Sequence, residues 1–235
     1  MAARPDPRMT HDLFHLLLST NDLAELLEGL SRRSHRTLAS FGDYACGFVL
    51  RRRNRPAVVA GCTAAFGERL AERLESGDEH LARPLQHRRS SLVSPAPREW
   101  MADAGHALLA APVASGPDGH AAFAVIGPRP PHPAEQRLLL STVGRVRNES
   151  SWALRLAVRY TAELERADHR ARAMQNRTVI DLAMGIIMAQ SRCSADEAFD
   201  VLRRASNHRN VKLRDVAAEL VQRIHPKPPA TLFID

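Results

Sequence analysis

Cysteine is scarce: Cys46, Cys62 and Cys193 are all the chain has, and they lie far apart in sequence. No two form a CxxC, and no histidine stands at ligand spacing from them. That argues against a disulfide framework or a zinc centre, and the three read as small buried thiols. Long apolar runs are missing too. No stretch approaches the roughly 18 apolar residues that a membrane span needs. The densest, Leu13 to Leu18, is short, flanked by His11 and Asp12 and interrupted by His15. The N-terminus, MAARPDPRMTHD, has no apolar core of signal-peptide length, so a cytoplasmic protein with no membrane partner is expected. There is no P-loop, no HExxH, no GxSxG and no plausible nucleophile–base pairing, so an enzyme is not expected. A phosphoacceptor site needs a strand-end aspartate among acidic residues that hold magnesium. No such cluster precedes a strand in the N-terminal region, so phosphorylation on Asp is not expected. Nothing in the pattern of Cys and His calls for haem, bilin, metal or another cofactor.

What is present is positive charge. The 235 residues carry 33 Lys and Arg against 26 Asp and Glu, a net charge of +7, and the isoelectric point is about 10.3. Such a balance favours a polyanionic partner such as nucleic acid. The plainer alternative is a protein from an Arg-rich proteome, since Arg dominates over Lys. An apolar fraction of 44% and a charged fraction of 25% are ordinary for a folded soluble chain. At about 150 residues per domain the length suggests one or two domains.

The pattern then divides the chain. Residues 1–11 are Pro- and Arg-rich and read as a disordered N-terminus. From about residue 12 to 36 the apolar face of Leu16, Leu17, Leu23, Leu26, Leu27 and Leu30 predicts one helix. YACGFVL and PAVVAGCTA predict two strands joined by the hairpin RRRNR. FGERLAERLES predicts a helix ended by Gly77. SSLVS reads as a short strand and REWMADAGH as one or two helical turns. HALLAAPVAS and HAAFAVIG predict a strand pair across GPDG. From Pro133 a further helix begins, with proline in its first turn and Glu135 at its positive end.

Helix, strands, helix, strands, helix over residues 12–150 is an α+β order with a largely antiparallel sheet. It resembles a GAF domain, by this order, by the "PL" of Arg83-Pro84-Leu85 and by the "APV" of Ala111 to Val113. The resemblance implies a sensor domain that binds a small ligand over the sheet or dimerises; without a phosphoacceptor, the expected signal is a ligand, a protein partner or redox chemistry at a cysteine. Cys46, Cys62, Trp100 and Phe123 are the candidate pocket residues; the alternative for each is a place in the core.

Residues 139–175 carry a heptad seam and predict a coiled-coil linker helix that overlaps the end of the first domain. The seam runs Leu139, Val143, Val146, Ser150, Ala153, Ala157, Tyr160, Leu164, Ala167, Ala171, Met174. A helix that long outreaches a small domain, so a parallel homodimer is the expected partner for it. Its many alanines predict a weak seam.

Three helical patterns close the chain: NRTVIDLAMGIIMAQ, SADEAFDVLRRASNHRN and VKLRDVAAEL, the last ended by Pro226. Ser194 and Glu197 have the spacing of a capping box. Gly185 interrupts the first helix and costs about 1 kcal/mol against alanine, so a neighbouring helix or a ligand backbone is expected close to it. Arg203, Arg204, Arg209, Lys212 and Arg214 cluster on the second and third helices. Each suits a phosphate or a loop base, or else an ion pair with Asp196, Asp200 or Asp215.

Residues 172–225 resemble the ANTAR domain. The matching positions in the first helix are Arg177, Ile180, Ala183, Gly185 and Met188. In the second they are Ser194, Asp196, Glu197, Ala198, Leu202 and Arg203, and beyond it Asn210, Lys212, Leu213, Asp215, Val216 and Ala217. The resemblance implies an RNA-binding output module of transcription antitermination, a dimer that binds paired RNA hairpins near a terminator. It assigns RNA contact to Arg177, Ala183 and Gly185 along with the basic cluster. One departure stands out. The family usually carries Lys between Ala183 and Gly185, and Met184 stands there, which predicts weaker phosphate contact. Residues 226–235 read as a flexible tail with a sticky end, Leu232 to Ile234.

The expected whole is therefore α+β: a GAF-like antiparallel sheet with flanking helices, a long coiled-coil helix and a three-helix ANTAR module. As a function it implies a GAF-like sensor controlling a dimeric output module that binds tandem RNA hairpins. Two alternatives stay open. Three helices with a basic face can enter a DNA major groove, and a dimerisation scaffold with a weakened output module would look the same.

Overall fold

Asp22 opens the first long helix, α1 (Leu23–Leu38), by accepting the N–H of Glu25 at 2.8 Å. The one helix expected from residue 12 is therefore two. Helical residues 15–19 stop at Thr20, whose N–H and hydroxyl both go to the Leu16 carbonyl, at 3.1 and 2.8 Å. This is a computed structural model, and it describes residues 13, 15–20, 22–100, 105–117 and 119–224. The expectations for residues 1–11 and for the tail 226–235 lie outside the described residues, as does most of the helical turn sought after Arg98–Trp100. The chain folds as two units, Met1–Ala162 and Glu163–Asp235.

The first unit is a five-stranded antiparallel sheet in the order β2-β1-β5-β4-β3. Its strands are β1 (Ala45–Arg52), β2 (Val58–Gly61), β3 (Ser91–Val93), β4 (His106–Val113) and β5 (Gly119–Pro128). Both faces of the sheet are covered, so β1 buries five consecutive residues, Cys46 to Leu50. Alternation sorts them. Cys46, Phe48 and Leu50 face one way with Ala121, Phe123 and Val125, against α1 and the first part of α4 (Pro133–Ser191). Phe48 stacks on Phe123 with ring centroids 4.5 Å apart. Val49, Ala122, Ala124 and Ile126 face the other way, against Phe66 and Leu70 of α2 (Ala64–Glu75), Leu81 and Leu85 of α3 (Glu79–Gln86), and Trp100.

The α3 helix was not anticipated, because Pro84 lies inside it and proline usually argues against a helix interior. Asp78 starts it by accepting the N–H of His80, and its second oxygen takes the Trp100 indole N–H at 3.0 Å. On the opposite face Arg33 of α1 meets Glu149 of α4 at 2.8 Å, with both side chains largely out of water.

The second unit is the end of α4 with α5 (Ala195–Arg209) and α6 (Leu213–Ile224). Ser194 and Glu197 close the expected capping box. Asn210 ends α5 in the left-handed conformation (φ 50°), and the Val211 N–H returns to the Ser206 carbonyl at 3.1 Å. This is the αL stop that asparagine tolerates. The core is small: Ala183, Ile187, Ala198, Leu202, Val216, Ala217 and Val221.

Candidate nucleic-acid interface

Charge on the second unit is arranged in exposed, local pairs. Arg203 holds Asp200 one turn away at 2.8 Å, Arg214 holds its neighbour Asp215 at 3.1 Å, and Arg177 stands 3.9 Å from Asp181. Arg204 donates to the Asp200 carbonyl of its own helix at 3.4 Å. Arg209, on the last turn of α5, crosses to Glu219 of α6 at 2.7 Å, and Arg223 binds the same carboxylate at 2.7 Å. Those two guanidiniums, Arg209 first, hold the Glu219 carboxyl below the usual carboxylate range. Exposed pairs of this kind are worth about 0–1 kcal/mol each, so a phosphate can displace them. Lys212 is exposed and has no ion-pair partner among the described residues. It sits at the start of α6, where its carbonyl accepts the N–H groups of Asp215 and Val216.

The expected RNA contacts divide on burial. Arg177, Gly185, Arg203, Arg204, Arg209, Lys212 and Arg214 are all exposed. Ala183 is not: it is fully buried between the helices. It is a packing residue rather than a contact, small because α5 and α6 come close there. Met184 is half-buried and packs on the same core. Gly185 points into open space, with no atom within 4 Å of where a Cβ would stand. The close neighbour expected beside it is absent among the described residues. Arg192, exposed just after α4 with φ 49°, and Arg223 are cations that the sequence reading missed. Arg223 was visible as the i+4 partner of Glu219.

The four candidate pocket residues do not line one cavity. Cys46 and Phe123 are buried on the α1 face of the sheet, and Trp100 is buried on the opposite face. Cys62 is half-buried beside Cys46. A cleft of about 350 Å³ lies between the sheet and α4, lined by Tyr44, Leu109, Val125, Leu139 and Val143 among others. A cleft of about 630 Å³ includes Arg88, His120, Arg147 and Arg155. None of the four lines either cleft. They were grouped because each is a conspicuous side chain, and the sheet's two faces separate them.

Residues 168–221 match the ANTAR domain family. No curated protein matches the chain. Among solved structures, the GAF domain of nlh2 from A. aeolicus, in an inactive state, is 12% identical with a TM-score of 0.44, covering 63% of this chain and 94% of that one. The LuxR-family transcription factor CepR2 from Burkholderia cenocepacia, N-acylhomoserine lactone dependent, is 14% identical with a TM-score of 0.43, covering 64% and 97%. An RNA-binding light-oxygen-voltage receptor is 24% identical with a TM-score of 0.22, covering 73% and 45%.

The residues that carry the ANTAR likeness serve two ends. Ala183, Ala198, Leu202, Val216 and Ala217 make the core. Ser194 and Glu197 cap one helix and Asn210 ends it. Arg177, Gly185, Met188, Asp196, Arg203, Lys212 and Asp215 put no side chain into either and are exposed.

The heptad positions that lead into the ANTAR segment also divide. Val143, Val146 and Ala153 are buried in the first unit's own core, with Leu139 and Ala157 packed against it. Tyr160, Leu164 and Met174 are 65%, 53% and 56% exposed. Ala167 is exposed and Ala171 partly so. Only the later part of the seam is therefore open to a second helix.

Proposed function

We propose that the chain is an RNA-binding regulator of transcription antitermination, in which a GAF-like first unit controls a dimeric ANTAR output module that binds paired RNA hairpins. The observation that carries this is the set of ANTAR-matching residues left over after packing and capping. Gly185, Arg203 and Lys212 lie on the surface, beside guanidiniums whose ion pairs are exposed and exchangeable. Guanidinium planes serve both backbone phosphate and unstacked loop bases. Dimerisation falls to the open heptad positions, Tyr160 to Met174. Neither unit has a helix long and apolar enough to cross a membrane among the described residues.

The test is a binding measurement on the full-length protein. An RNA with two adjacent hairpins binds more tightly than duplex DNA of equal length. Equal binding at moderate salt sinks the proposal, and tighter binding to DNA favours the major-groove alternative. The double variant Arg203→Glu with Lys212→Glu loses RNA binding and keeps native helical ellipticity and dimer mass. Loss of ellipticity would instead mark those positions as structural.

A further inference from the structure

Cys46 and Cys62, sixteen residues apart in sequence, are neighbours in space. The β1–β2 ladder ends in the pair Gly47↔Gly61, so Cys46 and Cys62 stand opposite each other one step beyond it. The Cys62 N–H donates to the Cys46 carbonyl at 2.8 Å, and the Cys46 N–H donates to the Cys62 sulfur at 3.3 Å. Opposed residues on adjacent antiparallel strands have Cα atoms about 4.5–5.5 Å apart. A disulfide spans Cα atoms about 4.4–6.8 Å apart, so no backbone movement is needed to join these two. Both side chains lie on the α1 face: Cys46 is in that core and Cys62 packs against it.

The two thiols are unequal. Cys46 is fully buried, and its sulfur also lies 3.6 Å from the Ser31 carbonyl. Cys62 is only half-buried, and the next residue, Thr63, caps α2. The adjacent Cys46 side chain and, with it, the Cys46 N–H and the nearby His35 lower the Cys62 thiol to about 6 against the opposing effect of burial. The same contact, together with burial, pushes Cys46 up and keeps it protonated. Cys62 is thus the less buried and more readily ionised sulfur and Cys46 the sheltered one, the arrangement in which an attacking cysteine has a resolving partner beside it.

We propose that Cys46 and Cys62 are a modification site for peroxides, closing to a disulfide with Cys62 as the attacking sulfur and Cys46 as the resolving one. The Cys62 thiolate attacks the near oxygen of the peroxide and the O–O bond breaks. The departing hydroxide or alkoxide takes a proton from solvent, leaving Cys62 as a sulfenic acid. The Cys46 sulfur then attacks the Cys62 sulfur. The S–O bond breaks, and the hydroxide leaves as water with the proton that Cys46 gives up. The two cysteines lose two electrons and the peroxide gains them. Nothing in this depends on what the second unit binds.

The experiment treats the full-length protein with hydrogen peroxide, counts free thiols and maps linked peptides by mass spectrometry. Two of the three thiols are lost, in a Cys46–Cys62 peptide that a dithiol reductant reopens, and Cys193 stays free. Cys62→Ser abolishes the reaction at Cys46. Cys46→Ser stops it at a sulfenic acid on Cys62 that a dimedone-type probe traps. A persistent sulfenic acid in the wild-type protein, a link through Cys193, or oxidation of Cys46 without Cys62 overturns the proposal. The wild-type map alone decides the matter if either variant fails to fold.

Discussion

Gly185 lies inside a helix, where glycine is about 1 kcal/mol worse than alanine, and none of the described residues occupies the space a Cβ would take. Folding alone would favour alanine. Gly185→Ala is therefore expected to stabilise the second unit by about 0.5–1 kcal/mol, read from urea unfolding, and to weaken RNA binding. A stabilised variant with unchanged affinity would remove Gly185 from the interface. Its neighbours show how far single residues could be read in advance. Exposure of the arginines and Lys212 followed from their place opposite the apolar stripe. Burial of Ala183 did not, because a small residue suits a close helix crossing as well as a close ligand. Cys46 and Cys62 were legible as small buried thiols, with redox chemistry at a cysteine as one signal among others, but not as a pair. Their contact depends on hairpin register, and RRRNR leaves that open by a residue or two.

Helix ends were the most legible elements. S-A-D-E announces α5, and the structure closes both halves of its capping box. The Ser194 N–H, then its hydroxyl, holds the Glu197 carboxyl below the ordinary range. Ser194→Ala is expected to destabilise the second unit by about 1 kcal/mol, seen as an earlier unfolding midpoint. The sign with pH follows from the depressed carboxyl: the stabilisation by Glu197 is complete above its unfolded value of about 4.3 and is lost as pH falls through the lower folded value. The part of the gap between wild type and Ser194→Ala that comes from the hydroxyl–carboxylate bond should therefore be lost in acid; a constant gap would mean that this bond contributes nothing, since the Ser194 N–H remains in the variant. Other elements hid for physical reasons. The α3 helix carries a proline in its interior, and the break at Thr20 sits within an unbroken series of leucines. In both, hydrogen bonds to the Asp78 carboxylate and to the Leu16 carbonyl outweigh what the apolar pattern suggests.

The heptad period identified a face of α4 but not what covers it. Up to Val158 the answer is the sheet of the same unit; from Tyr160 to Met174 the face is open. Leu164→Glu with Met174→Glu is expected to turn a dimer into a monomer, with light scattering as the measure. If the variant keeps the wild-type mass, the dimer contact lies elsewhere. The antiparallel sheet and the three-helix ending were both legible, since each rests on local periodicity and turn residues. The division of the seam was not, because it depends on how far the first unit's core reaches along the helix. Trp100 and Trp152 are the only tryptophans, one fully buried and one 40% exposed, and both belong to Met1–Ala162. Indole emission therefore watches one half of the protein, while helical ellipticity watches both. Any interval between the two melting curves is then a label-free measure of how far the halves share one cooperative transition.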